Sequence, residues 1–213
     1  MRESIVRAPE VTSRWDQTKW ESFMARANRK QSSRSSTSGY AARGRAGSRR
    51  KPDAIALLKA DHRQVEEWFG EFDKARASQR KTSLAASICK ALRVHTLIEH
   101  EIFYPAFLEA TGDKEAHHEA EIEHASATRL IKEIEASGPD DEYFDSRVTV
   151  LSEMIRHHVR EEEKPDGMFA EAGKSDMDLE LLGEALRERK QQLMSSDGAP
   201  LRRRGEHRSG ASA

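Results

Sequence analysis

The sequence predicts an all-α protein, an up-and-down four-helix bundle with an additional C-terminal helix and a disordered basic N-terminal tail. From Asp53 to about Met194, apolar residues recur at spacings of three and four, the period of a helix face and not the alternation of a strand. Short polar breakers, "TGDK" and "SGPDD", interrupt that pattern, and connections so brief join antiparallel neighbours. Composition adds a third argument: 213 residues, 36% hydrophobic and 34% charged, support one modest core and leave the remainder as tail.

Residues 1–52 form the tail. The stretch "RKQSSRSSTSGYAARGRAGSRRKP" is rich in Ser, Gly and Arg and poor in large apolar residues, so it cannot offset the entropy of ordering. Ahead of it, residues 13–30 can form a short amphipathic helix, with Ser13 as cap and Trp20, Phe23, Met24 and Ala27 on one face. Two roles are open for this helix: folding back on the domain, or docking a partner. Residues 1–52 hold 13 Lys or Arg against 4 acids and residues 199–213 hold 4 against 1, a net +9 and +3 that leave −13 between them for a chain of net −1. Nucleic acid or an acidic protein is a conceivable partner of the basic tail, though such tails are more often simply solvated.

The domain spans residues 53–170. Its first helix starts at Asp53 as cap and carries Ile55, Leu58, His62, Val65, Phe69 and Phe72 on one stripe. The second runs from about Ser83 to Ala110, with Ile88, Leu92, His95, Glu99 and Ile102. The third runs from about Asp113 to Ala136, with Ala120, His124, Ala127, Ile131 and Ile134. The fourth begins between Asp140 and Asp145 and carries Val148, Leu151, Ile155, His158 and Glu162. An accessory helix within 171–195, capped by Ser175 with Leu179, Leu182, Leu186 and Leu193 on one side, covers the bundle's end or side or else makes an oligomer contact, and 196–213 is a second disordered basic tail.

Every stripe of the bundle contains a histidine. In an antiparallel arrangement His62 and His95 lie at one level, both roughly 18 Å from their shared turn at 1.5 Å per residue. Glu99 and His124 match in the same way. Four imidazoles and two carboxylates on inward faces are costly to desolvate, and a metal ion supplies the compensation. Cys89 is the one cysteine, so disulfides and thiolate clusters are excluded and any metal is held by histidine and carboxylate. In "RHHVREEEKP" the stripe continues to His158 and Glu162, whereas His157 and Glu161 fall about 100° round the helix. His100 and Glu101 turn away from the core line of the second helix, while His117, His118 and His207 belong to surface or tail. Glu121 stays open as a ligand, since Glu-x-x-His occurs in di-iron bundles, but Ala120 is the more inward position. Imidazole with bridging carboxylate suits paired iron or manganese better than a structural zinc site.

The succession His62, "HTLIE" with His95 and Glu99, "EIEHA" with His124, and "HVREE" with His158 and Glu162 resembles the hemerythrin HHE cation-binding family, and "ADH" and "EIFYP" strengthen the likeness. The resemblance implies a four-helix bundle holding two non-haem iron ions, oxo- and carboxylate-bridged. In it His62, His95, His124 and His158 are terminal ligands and Glu99 and Glu162 bridge. It implies O2 or another small ligand, NO or peroxide, as partner. The oxygen carriers of that family have a second histidine where Ala120 stands and a last carboxylate that is an aspartate five residues on, where this chain has Glu162 after four. That departure weighs against reversible oxygen carriage and leaves room for exogenous ligands.

Two function classes follow. In one the centre binds O2, NO, peroxide or iron itself for sensing, storage or stress protection; in the other it is a di-iron enzyme consuming peroxide or oxidising a small substrate. No nucleophile triad or phosphate loop accompanies the ligands. Nor does any apolar run reach bilayer length, and "MRESIVRAPE" lacks the apolar stretch of a signal peptide. A cytoplasmic protein without membrane partner is expected.

Overall fold

The computed structural model describes residues 51–196, so the amphipathic segment 13–30 and nearly all of both basic tails lie outside the described residues. Helix α1 (Ala54–Lys74) starts where the Asp53 carboxylate accepts the Ala56 N–H at 2.8 Å. Its buried face carries Leu57, Leu58, His62, Val65, Phe69 and Phe72, with Ile55 half-buried at the flank.

Helix α2 (Ser78–Ile98) begins five residues ahead of the expected Ser83, because its first turn is polar and exposed and leaves no apolar stripe to read. It does not run unbroken to Ala110. Residues Glu99–Phe103 form a π-helical turn, in which the Tyr104 N–H reaches back to the Glu99 carbonyl, and helix α3 (Tyr104–Thr111) follows. Pro105 sits in the first turn of α3 and has no N–H to return to the Glu101 carbonyl, so the helix widens there. One extra residue in the turn brings Ile102, Phe103 and Tyr104 all inward, each fully buried.

Gly112, at φ 74°, ends α3 in the left-handed conformation that suits a residue without a Cβ. Asp113 then caps α4 (Lys114–Ala136), accepting the Glu115 and Ala116 N–H groups at 3.0 and 3.1 Å. Helix α5 (Phe144–Glu163) completes the bundle. Helices α1 and α2 pack as one antiparallel pair and α4 and α5 as another, and the pairs meet through α1 with α5 and α2 with α4. Phe69, Phe72, Leu84, Ile88, Ile131, Ile134, Phe144 and Val148 fill the half of the bundle nearest the α1–α2 and α4–α5 turns. The histidines occupy the other half.

Two further helices close that half. The short α6 (Met168–Lys174), which sequence periodicity does not reveal, buries Met168, Phe169 and Ala172. Helix α7 (Leu179–Ser196) packs on α1, α2 and the π turn, burying Leu182, Ala185 and Leu186. Its cap is Asp178, whose carboxylate accepts the Leu181 N–H at 3.1 Å, and not Ser175. The Ser175 hydroxyl instead donates to the Ala172 carbonyl at 2.8 Å and finishes α6. No described helix is long and apolar enough to cross a membrane.

Candidate metal centre

His62 comes from α1, His95 from the end of α2, Glu99 from the first position of the π turn, His124 from α4, and His158 and Glu162 from α5. None is more than 5% exposed. Their donor atoms fall into two groups, His62, His95, Glu99 and Glu162 in one and Glu99, His124 and His158 in the other, with the atoms of each group within 4.8 Å of one another.

Glu99 belongs to both groups. Its Oε1 lies 3.2 Å from His95 Nε2 and its Oε2 3.4 Å from His124 Nε2, so one carboxylate oxygen faces each group. Glu162 Oε2 lies 3.5 Å from His62 Nε2 and 3.6 Å from His158 Nε2. Across the bundle, His62 Nε2 meets His95 Nε2 at 3.1 Å, and His124 Nε2 meets His158 Nε2 at the same distance.

The outward ring nitrogens are held by neighbours that the sequence reading did not single out. His62 Nδ1 is 2.8 Å from Glu163 Oε1, itself gripped by the Arg63 guanidinium at 2.8 and 2.9 Å. His158 Nδ1 is 2.7 Å from Glu123 Oε2, and His95 Nδ1 faces Asp61 at 3.5 Å, with Lys190 paired to that aspartate. His124 Nδ1 lies 3.2 Å from His100 Nε2. The π turn therefore brings His100 to a ligand histidine, where the sequence reading had turned it away. Tyr104, fully buried, donates its hydroxyl to Glu162 Oε1 at 3.3 Å and stacks on the His124 ring. A local signal existed for the carboxylates, because Asp61, Glu123 and Glu163 each stand next in sequence to one of the six.

The neighbouring candidates lie elsewhere. His157 is exposed, its Nε2 3.3 Å from Glu123, and Glu161 pairs with Lys164 at 2.6 Å. Ala120 is buried, whereas Glu121 points to the surface, 3.8 Å from His117.

A carboxylate on Nδ1 selects the tautomer whose proton sits there, which turns the Nε2 lone pair inward. In the His62–His95 pair, where Glu163 and Asp61 face the two Nδ1 atoms, such lone pairs 3.1 Å apart repel unless a positive charge lies between them. Both oxygens of Glu99 and Oε2 of Glu162 are buried without a hydrogen-bond donor, a state that is costly for a carboxylate unless a cation relieves it. In the metal-free arrangement protons do part of that work. Burial opposes charge on His95, yet the Glu99 carboxylate and Asp61 raise its pKa to about 10. Burial and the negative charge of Glu99 push Glu162 up to about 8. Burial and the neighbouring His95 charge lower His62 to about 4. Four imidazoles and two carboxylates with inward lone pairs fit metal cations.

The family model described as Hemerythrin HHE cation binding domain matches residues 53–169. A DNA nickase from Nostoc sp. is 29% identical over 107 residues, which are 50% of this chain and 30% of that protein, so the chain spans about a third of that relative's length. The crystal structure of a hemerythrin HHE cation binding domain-containing protein from Mycobacterium kansasii superposes with a TM-score of 0.58 at 21% identity, covering 68% of this chain and 89% of that one.

Proposed function

The chain belongs to the hemerythrin HHE cation-binding domain family, and from that premise we propose that its bundle holds two non-haem iron ions and takes up a small ligand, O2, NO or peroxide, in sensing, storage or stress protection. The observation that carries the reading is the position of Glu99, one oxygen toward each donor group and neither satisfied otherwise. His62, His95, His124 and His158 would hold the ions as terminal donors, and Glu99 and Glu162 would be shared between them. Imidazole and carboxylate without thiolate favour iron or manganese pairs over structural zinc.

Bound iron would supply a redox-active Lewis acid able to accept an exogenous ligand. The residues do the rest. With both carboxylates shared, each ion would have two imidazoles and two carboxylates, and the small Ala120 on α4, buried beside the His124 group, would supply no further donor there. Tyr104 keeps its proton, because burial and then the Glu99 charge raise its pKa well above the phenolic range, and it presents that proton to Glu162. A groove of about 150 Å³ between α4 and α5, lined by Ile122, Ala127, Met154 and Ile155, leads to His124 and His158 and suits a neutral diatomic.

The test is anaerobic loading with ferrous iron followed by air. About two irons per chain and near-ultraviolet charge-transfer bands are expected, and tight binding of a single zinc with rejection of iron would overturn the reading. Peroxide consumption at steady state, measured on the same material, separates the enzyme alternative from a binding centre.

A further inference from the structure

The following inference rests on the metal-centre reading above and asks how a cation reaches a centre this deeply buried. A cleft of about 270 Å³ opens between the first turns of α4, the end of α5 and α6, and reaches His158 and Glu162 past Ala120. Eight carboxylates and one lysine, Lys164, line it. Glu115, Glu119 and Asp166 stand exposed at the rim, and Glu123 is half-buried further in. At the floor is Glu162, 3% exposed, whose Oε2 has no hydrogen-bond partner.

The other openings onto the centre have the wrong chemistry for a dication. The α4–α5 groove is mostly apolar, lined by Ile122, Ala127, Met154 and Ile155, and Glu123 is its one carboxylate, too few oxygens to replace a hydration shell. The groove between α1 and α5 that reaches His62 sets Arg156 and Arg160 against one carboxylate, Glu66, and so repels cations. A narrow cleft of one sign focuses the field and concentrates counter-ions at its mouth. A ladder of carboxylates then lets water be exchanged for oxygen ligands one at a time.

We infer that this acidic cleft is the port through which a divalent cation enters the centre, with Glu123 as the carboxylate passed just before Glu162. Ala120 serves the port by being small. A neutral ligand and a cation then use different doors, one apolar and one acidic.

Stopped-flow mixing of the metal-free full chain with Co2+, followed by the visible bands that intensify on imidazole ligation, reads the rate directly. Glu115→Gln/Glu119→Gln/Asp166→Asn should slow uptake about tenfold at low ionic strength, with the gap closing near 1 M salt, where the screening length falls to about 3 Å. Cobalt capacity and the final spectrum should not change, because none of the three is a ligand of the centre. Lys164→Gln should speed uptake. The control Glu67→Gln/Asp73→Asn/Glu153→Gln removes as much charge from exposed sites off the cleft and should alter the rate less than about twofold. Equal rates in cleft variant and wild type, or equal slowing in the control, overturn the port while leaving the centre standing. A wild-type chain that takes up no cobalt overturns the centre itself.

Discussion

Glu99 has zero exposure, two oxygens without a hydrogen-bond donor and a histidine nitrogen near each, a state that only positive charge makes tolerable. The same logic separates the adjacent histidines of α5. His158→Ala removes an inward donor and should cost at least half of the bound metal, while His157→Ala, at an exposed position, should leave the content near two; metal analysis of the purified variants decides, and the reverse result would place the helix phase one residue off. Support groups act more weakly. Glu163→Ala frees the His62 ring and should lower metal affinity roughly tenfold, measured by chelator competition, with wild-type helicity retained. Cys89 illustrates burial without function: it is 1% exposed, and desolvation pushes its thiol up to about 11. A raised thiol pKa means less thiolate, so at pH 8 only roughly a thousandth is reactive, against about a quarter for an unfolded chain. Thiol reagents should therefore find no site in the native protein and one after denaturation; rapid native labelling would show that the α2 core opens readily.

The elements show which features local sequence can announce. Four stripes and the Asp53 cap were legible because helix periodicity and side-chain capping act over three or four residues. The π turn was not, since a single wide turn leaves no period; Pro105 and the consecutive buried Ile102, Phe103 and Tyr104 were its traces. Helix α6 is too short at seven residues to show a stripe, and Ser175 and Asp178 are both capping types whose choice depends on where α6 ends. That dependence makes the π turn testable. Deleting Glu101 would close it to α spacing and turn His95 and Glu99 by about 100° relative to the fixed Phe103 and Phe107. The deletion should abolish metal binding, whereas Glu101→Ala, which loses the bidentate Arg189 pair at 2.6 and 3.0 Å and keeps the turn's length, should keep it. Helix α7 is seated by a close approach. A Cβ at Gly183 would stand 2.7 Å from the Asp53 carbonyl carbon and 2.8 Å from the Ala54 nitrogen, both backbone atoms that cannot yield cheaply. Gly183→Ala should cost roughly 1–3 kcal/mol and lower the thermal midpoint by about 2–4 °C per kcal/mol, as read by circular dichroism. An unchanged midpoint would mean that α7 is held loosely.

At the scale of the whole molecule, the question is which residues the centre needs. The six candidate donors and the groups that orient them all lie between Asp61 and Glu163, and α6 and α7 close the same half of the bundle. Arg189 and Lys190 tie α7 to Glu101 and Asp61, so the C-terminal helix supports a group that faces His95. Stopping the chain before Leu179 would strip the helix that packs on α1, α2 and the π turn and leave Asp61 without its lysine, which makes α7 part of the domain in the energetic sense. Residues 1–50 differ in composition: the Ser, Gly and Arg stretch has almost no large apolar side chains to contribute to a core. What the tail brings is charge, a net +9 over residues 1–52, whose interactions weaken as salt shortens the screening length from about 10 Å at 0.1 M. A chain of residues 51–196 should therefore keep its helical content, its metal stoichiometry and a thermal midpoint within a few degrees of the full protein, at both low and high salt. Release of metal, or a midpoint that falls sharply on truncation, would show that the segment from Trp15 to Ala27 packs as part of the core, and the domain would then begin near residue 13 instead of 53.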